Sequence, residues 1–590
     1  MKLSNDFDEL QSDYDVVVIG SGYGASVLAT RLQERASRGG MDSKPRVCVL
    51  ERGREIESGA FPSELPALRN DTQLDILGDH VGTRLGLFDF HINRDVDVLV
   101  GCGLGGTSLI NGSISIEPDP RVFDEDCWPE AIRKDRDNRS LAQYYKLARS
   151  VLRPAQYPVS QPTPAKLQAL EQAAIKNGGP FSRCFVNLHF DEAGTNPSGV
   201  YQEPCISCGD CVTGCNFKAK NTIPFTYLPL AKSFGAHIFV QCDVRYVTKE
   251  EGCYVVHFQH ITTGQEAVRI DGRVRAKAVV VGAGVLGSTA ILLRSAGPGL
   301  EFSSRLGERF SSNGDAVTFG YNCDPEVDTI GFGHDALPPK SERRPNRPTG
   351  ATLLGLVDQR YPDIPVLEGL IIEEGAFPSG LTKLLLPLVQ IIVASGKETG
   401  TGLVRWLRER EREGLDLLND MENGALNHTM LYFTMGHDGS NGRISLDGKG
   451  NAQITWPDLA KAPYFEVADG RVRKLTESLG GMHVRNPLWS NTFGKNLITV
   501  HPLGGCAMGN DVATGVVDHL GRVFDPAHAD GAFHDRLYIA DGSVIPMSLG
   551  VNPLLTITAL AERTAQNAAT ELGYGAVAPA AQCATARSKG

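Results

Sequence analysis

The sequence predicts an α/β fold that opens with a Rossmann-like, dinucleotide-binding unit, and three observations predict it. The run Asp15-Val-Val-Val-Ile19 is continuously apolar after its acid, as a parallel strand covered on both faces must be. It leads into Gly20-Ser-Gly22-Tyr23-Gly24-Ala25 and then SVLATRLQER, which has helical spacing. A second apolar run, Val47 to Leu50, ends in Glu51.

Each part of this strand, turn, helix, strand and acid has a physical reason. Gly20 permits the tight turn, and Gly22 lets backbone N–H groups approach a pyrophosphate. Ala25 fills the third small position, where helix meets strand, and Tyr23 and Gly24 belong to the same turn. The helix N-terminus then faces the phosphates, and Glu51 is placed to accept from a ribose 2′-OH. A glycine motif of this kind is weak by itself. Here its flanking strand, helix and acid all agree.

Further along, Val98 to Gly112 reads VLVGCGLGGTSLING, a glycine-dense loop suited to lie against a flavin ring or a phosphate. Ala278 to Gly287 is another apolar run and glycine turn, feeding the helix STAILLRSAG. No acid-ended strand follows it, so it reads as one more strand of the same sheet and not as a second nucleotide site. Leu537 to Gly542 gives a strand and an acid, and Pro553 a helix start.

Composition bounds the rest. At 590 residues the length predicts two to four domains. Hydrophobic residues at 41% and charged ones at 22% exclude a disordered chain and a coiled coil. A formal charge of −11 argues against nucleic acid as a partner. No basic start precedes an apolar stretch, so a cytoplasmic protein is expected. No run approaches the ~18 apolar residues of a spanning helix. The apolar stretch Leu384 to Ala394 carries Pro387 and Gln390, and reads as a buried or interfacial helix segment, or as a peripheral contact with a lipid surface. Arg405 to Glu413 reads as a solvated helix face.

Taken in order, GSGYGASV, GLGGTSLINGS, VVGAGVLGSTAILLRSAG, HPLGGC at 501–506, ADGSVIP at 540–546 and GVNPLLTITALAER at 550–563 resemble the glucose–methanol–choline (GMC) oxidoreductase family. The likeness covers most of the chain and is nearest to the cholesterol-oxidase branch. It implies FAD in a cleft between a Rossmann-like domain, assembled from 1–120, 225–325 and 495–590, and a substrate domain, 121–224 and 326–494. The latter would hold a six-stranded, antiparallel-rich sheet with helices. Cofactor contacts are expected from Gly20, Gly22, Tyr23, Gly24, Ala25, Glu51, Gly105, Gly106, Ser108, Asn111, Gly112, Val244, Asp541, Gly542, Asn552, Pro553 and Leu554. No histidine lies between Gly103 and Asn111, where some relatives attach flavin covalently, so non-covalent FAD is expected.

The chemistry implied is oxidation of an alcohol to a carbonyl by hydride transfer to flavin N5. A base or orienting group, an aimed carbinol carbon and fixed polarity are needed. His501, at the head of HPLGGC, is the candidate base or orienting group. Asn552 is the second candidate, as a partner for the substrate oxygen or the flavin edge, or as the cap of the helix after Pro553. Glu373 matches a carboxylate of the cholesterol-oxidase branch, with Glu374 as its rival. The substrate expected is a sterol-, terpenoid- or long-chain-like alcohol. The alternatives are a cluster-assisted dehydrogenase of sugars or other polar alcohols, passing electrons to an acceptor protein or quinone, and a non-catalytic flavin or electron-transfer protein.

One motif stands apart. Cys205, Cys208, Cys211 and Cys215 have the C-x₂-C-x₂-C-x₃-C spacing of bacterial ferredoxins. Asn216 stands where those proteins carry Pro, and their fourth cysteine serves another cluster. An iron–sulfur cluster here therefore calls for an altered loop, a remote ligand or a three-iron core. Structural disulfides, free thiols and zinc remain as the other readings.

Overall fold

The computed structural model describes residues 2–38, 45–76, 78–137, 140–263, 268–332, 348–381, 403–417, 423–459, 462–485, 497–528 and 532–574. The apolar stretch 384–394 lies outside them. No helix among the described residues is long and apolar enough to cross a membrane.

The first strand, β1 (Asp13–Ile19), and the second, β2 (Val47–Leu50), flank the helix α1 (Tyr23–Arg38). They lie in a sheet of eight strands. Its parallel part runs His237–Phe239, β2, β1, Arg269–Val281 and Phe533–Ile539. The apolar runs are buried as expected: Val16, Val17, Val18, Val47 and Val49 are all sealed from solvent. Arg269–Val281 is long enough to serve twice. Its last residues join the parallel part, while its first pair antiparallel with Cys253–Ile261. The run around Ala278 is thus a strand of the same sheet.

All four long-range parallel partners end at one place. β1 stops at Ile19, β2 at Leu50, and their neighbours at Val281 and Ile539. Gly20, at φ +91°, has no room for a side chain, since a Cβ would stand 2.3 Å from the Gly282 carbonyl oxygen. Ligands of open α/β sheets bind beyond such carboxyl ends.

The second sheet has six strands in the order Met482–Arg485, Ala316–Tyr321, Met430–Met435, Ile371–Gly375, Gly355–Asp358 and Phe181–Arg183, and every pairing is antiparallel. The strand Ala316–Tyr321 falls in the 225–325 stretch of sequence but pairs here. A third sheet, unforeseen in the sequence, has five strands and includes Thr72–Ile76, Phe88–Ile92 and Val96–Gly101. Arg405 to Glu413 lies in the helix Leu403–Leu417, whose Arg412 donates to the Cys323 carbonyl at 2.9 Å.

Candidate active site

One cavity runs along the carboxyl ends of the parallel strands and reaches the C-terminal segments. Of the expected cofactor contacts, Gly20, Gly22, Tyr23, Gly24, Glu51, Gly106, Asn111, Gly112, Val244, Asp541, Gly542, Asn552, Pro553 and Leu554 line it. A Cβ on Gly22 would meet nothing within 4 Å, so this backbone faces open space, as a phosphate-approaching turn requires.

Three expectations are corrected. Ala25 is buried where α1 crosses the neighbouring strand, since a Cβ on Gly282 would stand 2.7 Å from its own Cβ. The Gly105 N–H donates to Ser21 Oγ at 2.9 Å. Ser108 Oγ donates to the Gly105 carbonyl at 2.7 Å and accepts from Ile223 N at 3.1 Å. These three build the cavity wall from behind. Asp541 lines the cavity, but its carboxylate is fully engaged by the protein: it accepts from Ser543 N at 2.8 Å, Gly284 N at 2.9 Å and the hydroxyls of Ser288 and Ser543.

Glu51 is held by Ser21, whose Oγ donates to Oε2 at 2.6 Å, and by Gly53 N, which donates to Oε1 at 2.7 Å. Burial pushes its carboxyl up from the ordinary value, and these bonds pull it back. Ser21 therefore joins the glycine turn, the acid and the second glycine loop, a role the motif did not announce.

At the other end His501 and Asn552 both line the cavity. The imidazole Nδ1 of His501 lies 2.9 Å from Asp315 Oδ1. Asp315 Oδ2 accepts from Thr499 Oγ1 at 2.8 Å, Val500 N at 2.9 Å and His501 N at 3.1 Å, which fixes it as an ionised acceptor facing Nδ1–H. Among the described residues Nε2 has no hydrogen-bond partner. Two residues upstream, Asn313 gathers the segment that carries Asn552: its Nδ2 donates to the Val551 carbonyl at 2.8 Å, and its Oδ1 accepts from Leu549 N at 2.8 Å. The turn itself is pinned by buried Asp438, which accepts from Ser311 Oγ at 2.9 Å, Ser312 N at 2.7 Å and Gly314 N at 3.2 Å. A single turn, Ser311–Asp315, thus positions both candidates. Sequence reasoning missed it, and the signal it offered was a polar run, SSNGD, leading directly into an apolar strand.

Asn552 does not cap the helix Leu554–Glu571, which lacks a side-chain cap. Its Nδ2 donates to Glu373 Oε2 at 3.4 Å, and its Oδ1 has no partner. Glu373 is 0% exposed, stands behind Asn552 and leaves Oε1 without a partner. Burial, then the nearby Glu374 and Asp315 charges, push its carboxyl up to about 8 against the pull of Asn552. Glu374 points the opposite way and is paired with Lys166.

At the far end of the cavity Asp75, Asp89 and His91 bring their ligand atoms within 4.8 Å of one another. Asp75 and His91 are cross-strand partners in the five-stranded sheet, and Arg52 pairs with Asp89. Opposite charges are matched there, as a buried ion network requires.

A family model described as GMC oxidoreductase matches residues 14–312, and a second so described matches 461–561. The chain belongs to the GMC oxidoreductase family. It is an FAD-dependent oxidoreductase acting on CH–OH donors. Among its relatives, a cholesterol oxidase of Mycobacterium tuberculosis is 28% identical over 94% of this chain and 91% of its own length. A cholesterol oxidase of Acinetobacter baumannii is 26% identical, covering 93% of each chain. A long-chain-alcohol oxidase of Arabidopsis thaliana is 23% identical over 93% of this chain and 66% of its own. Among solved structures, a fungal aryl-alcohol oxidase superposes with TM-score 0.57 at 16% identity, covering 95% of this chain and 100% of the other. An Aspergillus oryzae formate oxidase does so with TM-score 0.59 at 13% identity, covering 95% and 98%. Both share the GMC fold.

The four clustered cysteines line a separate small cavity. Every described cysteine is a free thiol, so the disulfide reading fails among the described residues. No three of the four Sγ atoms fall within 4.8 Å of one another.

Proposed function

We propose that this GMC enzyme oxidises the hydroxyl of a lipophilic alcohol, sterol-, terpenoid- or long-chain-like, with His501 as its proton acceptor or orienting group. The observation that carries the reading is the His501–Asp315 pair beside Asn552 on one cavity wall. A carboxylate on Nδ1–H fixes the tautomer in which Nε2 is a free acceptor, able to take a hydroxyl proton. Asn552 supplies an amide beside it to orient the alcohol oxygen. Asp315 acts through His501 and is a positioning residue.

The residues present fit FAD: an open backbone turn at Gly22, the ribose-placed carboxylate of Glu51, and a glycine loop opposite. When bound there, FAD supplies the hydride acceptor. Val244, Gly106, Asn111 and the segments at 541–542 and 552–554 would hold it, without a covalent link, since no histidine lies in the 103–111 loop. The preference for lipophilic alcohols draws on the cholesterol oxidases and long-chain-alcohol oxidase among the relatives.

Anaerobic mixing with sterols, long-chain alcohols and sugars tests this. A lipophilic alcohol is expected to bleach the flavin band fastest; a panel in which only sugars do so would overturn the substrate class, and bleaching by none would sink the reading. His501→Ala should slow flavin reduction by ~10²–10⁴-fold with FAD still bound. Asp315→Asn should also lose ~10²–10⁴-fold, with a displaced pH profile, because the amide supports the wrong tautomer. A near-normal rate in either variant removes that residue from the mechanism.

A further inference from the structure

The cysteine turn is built from outside inward. Ser207, Gly209 and Gly214 have positive φ, of 60°, 83° and 103°, and bend the backbone around the thiols. Neighbouring segments hold that shape. Cys211 N donates to Thr352 Oγ1 at 3.1 Å, and Asp210 accepts from Ser379 N at 2.6 Å. Asn216, in the place where ferredoxins carry Pro, clamps the segment 59–61: its Oδ1 accepts from Gly59 N and Phe61 N, both at 2.9 Å, and its Nδ2 donates to the Phe61 carbonyl at 3.0 Å. The four thiols are thereby turned toward one small cavity. One backbone N–H, that of Ser207, already points at a sulfur, Cys205 Sγ, at 3.4 Å.

Two simpler occupants fit poorly. Disulfides are absent among the described residues. A single zinc ion with Zn–S near 2.3 Å would draw its thiolates to within about 3.8 Å of each other, whereas no three of these come within 4.8 Å. A polynuclear core holds its thiolates farther apart, because metal and sulfide atoms stand between them. Burial pushes the Cys205, Cys208 and Cys211 thiols up, so a cationic core is what would bring them to the thiolate form.

The turn is also tied to the main cavity. Buried Lys220 spends its three protons on the carbonyls of Cys211 at 3.0 Å, Leu109 at 3.0 Å and Asn111 at 2.7 Å. Asn111 and the following Gly112 line the cavity assigned to FAD, and Asn111 Nδ2 donates to Tyr23 Oη at 2.8 Å. One side chain bridges the cysteine turn and the loop facing the cofactor.

We infer that Cys205, Cys208, Cys211 and Cys215 form the binding site of an iron–sulfur core, fastened by Lys220 to the cofactor-facing loop. The site stands on its own geometry; its nearness to flavin rests on the FAD reading above.

The test is metal and acid-labile sulfide analysis of the full-length protein purified without oxygen, with low-temperature paramagnetic resonance after dithionite. Roughly three to four iron atoms and matching sulfide per chain are expected, with a paramagnetic signal. Cys208→Ser with Cys211→Ser should remove iron and sulfide while flavin content stays. Zinc without sulfide, or protein free of iron and sulfide even after anaerobic treatment with ferrous iron and sulfide, would overturn the inference. Should the double variant fail to fold, the wild-type analysis decides alone. Alcohol bleaching of flavin in iron-free protein would leave the proposed function intact and sink only the cluster, while iron and sulfide without bleaching would do the reverse.

Discussion

Glu373 and Glu374 are neighbours on the strand Ile371–Gly375, both wholly buried, and they live in opposite worlds. Successive side chains of a strand leave on opposite faces. On the far face Glu374 is saturated: Lys166 Nζ pairs with Oε2, while Leu354 N and Gly355 N each donate to Oε1 at 3.0 Å. On the cavity side Glu373 has one long bond from Asn552 and one oxygen without a partner. A buried polar group left short of partners is costly, so the fold keeps it only where it is held in place by something else. Here the saturated neighbour does that holding. By locking the strand to the helix Ala165–Lys176 and to Gly355–Asp358, Glu374 fixes the register that aims Glu373 at Asn552.

The contrast can be broken most severely from the far face. Lys166→Met leaves the Glu374 carboxylate buried without its counter-charge and should cost about 3–5 kcal/mol in chemical denaturation; a loss below about 1 kcal/mol would mean the pair does not organise the strand. Glu373→Gln has a subtler effect, visible in pH. With its carboxyl raised to about 8 in the folded protein, Glu373 keeps a proton that the unfolded chain releases near the ordinary carboxylate value. The folded state binds more protons in that window, so stability falls as pH rises, by up to about 1.4 kcal/mol per pH unit from this group. Melting temperatures from pH 5 to 9 should therefore decline less steeply in Glu373→Gln than in wild type, and parallel curves would refute the raised carboxyl. The smallest effect belongs to Asn552→Ala. It removes the one donor that Glu373 has, for about 0.5–1.5 kcal/mol, and should move the Glu373 titration upward; an unchanged or lower midpoint would show that the bond does not matter.

Much of the site was legible because its chemistry is local. Gly20 and Gly22 lie in one turn that is fixed by the strand before and the helix after. His501 and Asn552 sit inside motifs whose neighbours carry the signal. Ala25, Gly105 and Ser108 were less legible. Small residues serve equally to approach a ligand and to pack against backbone, and only the position of Gly282, Ser21 and Ile223 separates the two uses. Asp541 shows the same limit, since its partners Gly284 and Ser288 lie some 250 positions away in sequence.

By itself the chain dictated the parallel strands, because burial on both faces leaves an unbroken apolar run, and the glycine turns, because few other residues tolerate that backbone. It could not dictate that Asp315 faces His501, that Glu373 and not Glu374 looks toward the cavity, or that Lys220 joins the cysteines to the loop beside Asn111. Those are facts about which distant segments meet. A hydrogen bond or an ion pair forms only after packing has brought its two ends within about 3 Å, and no local pattern encodes that distance.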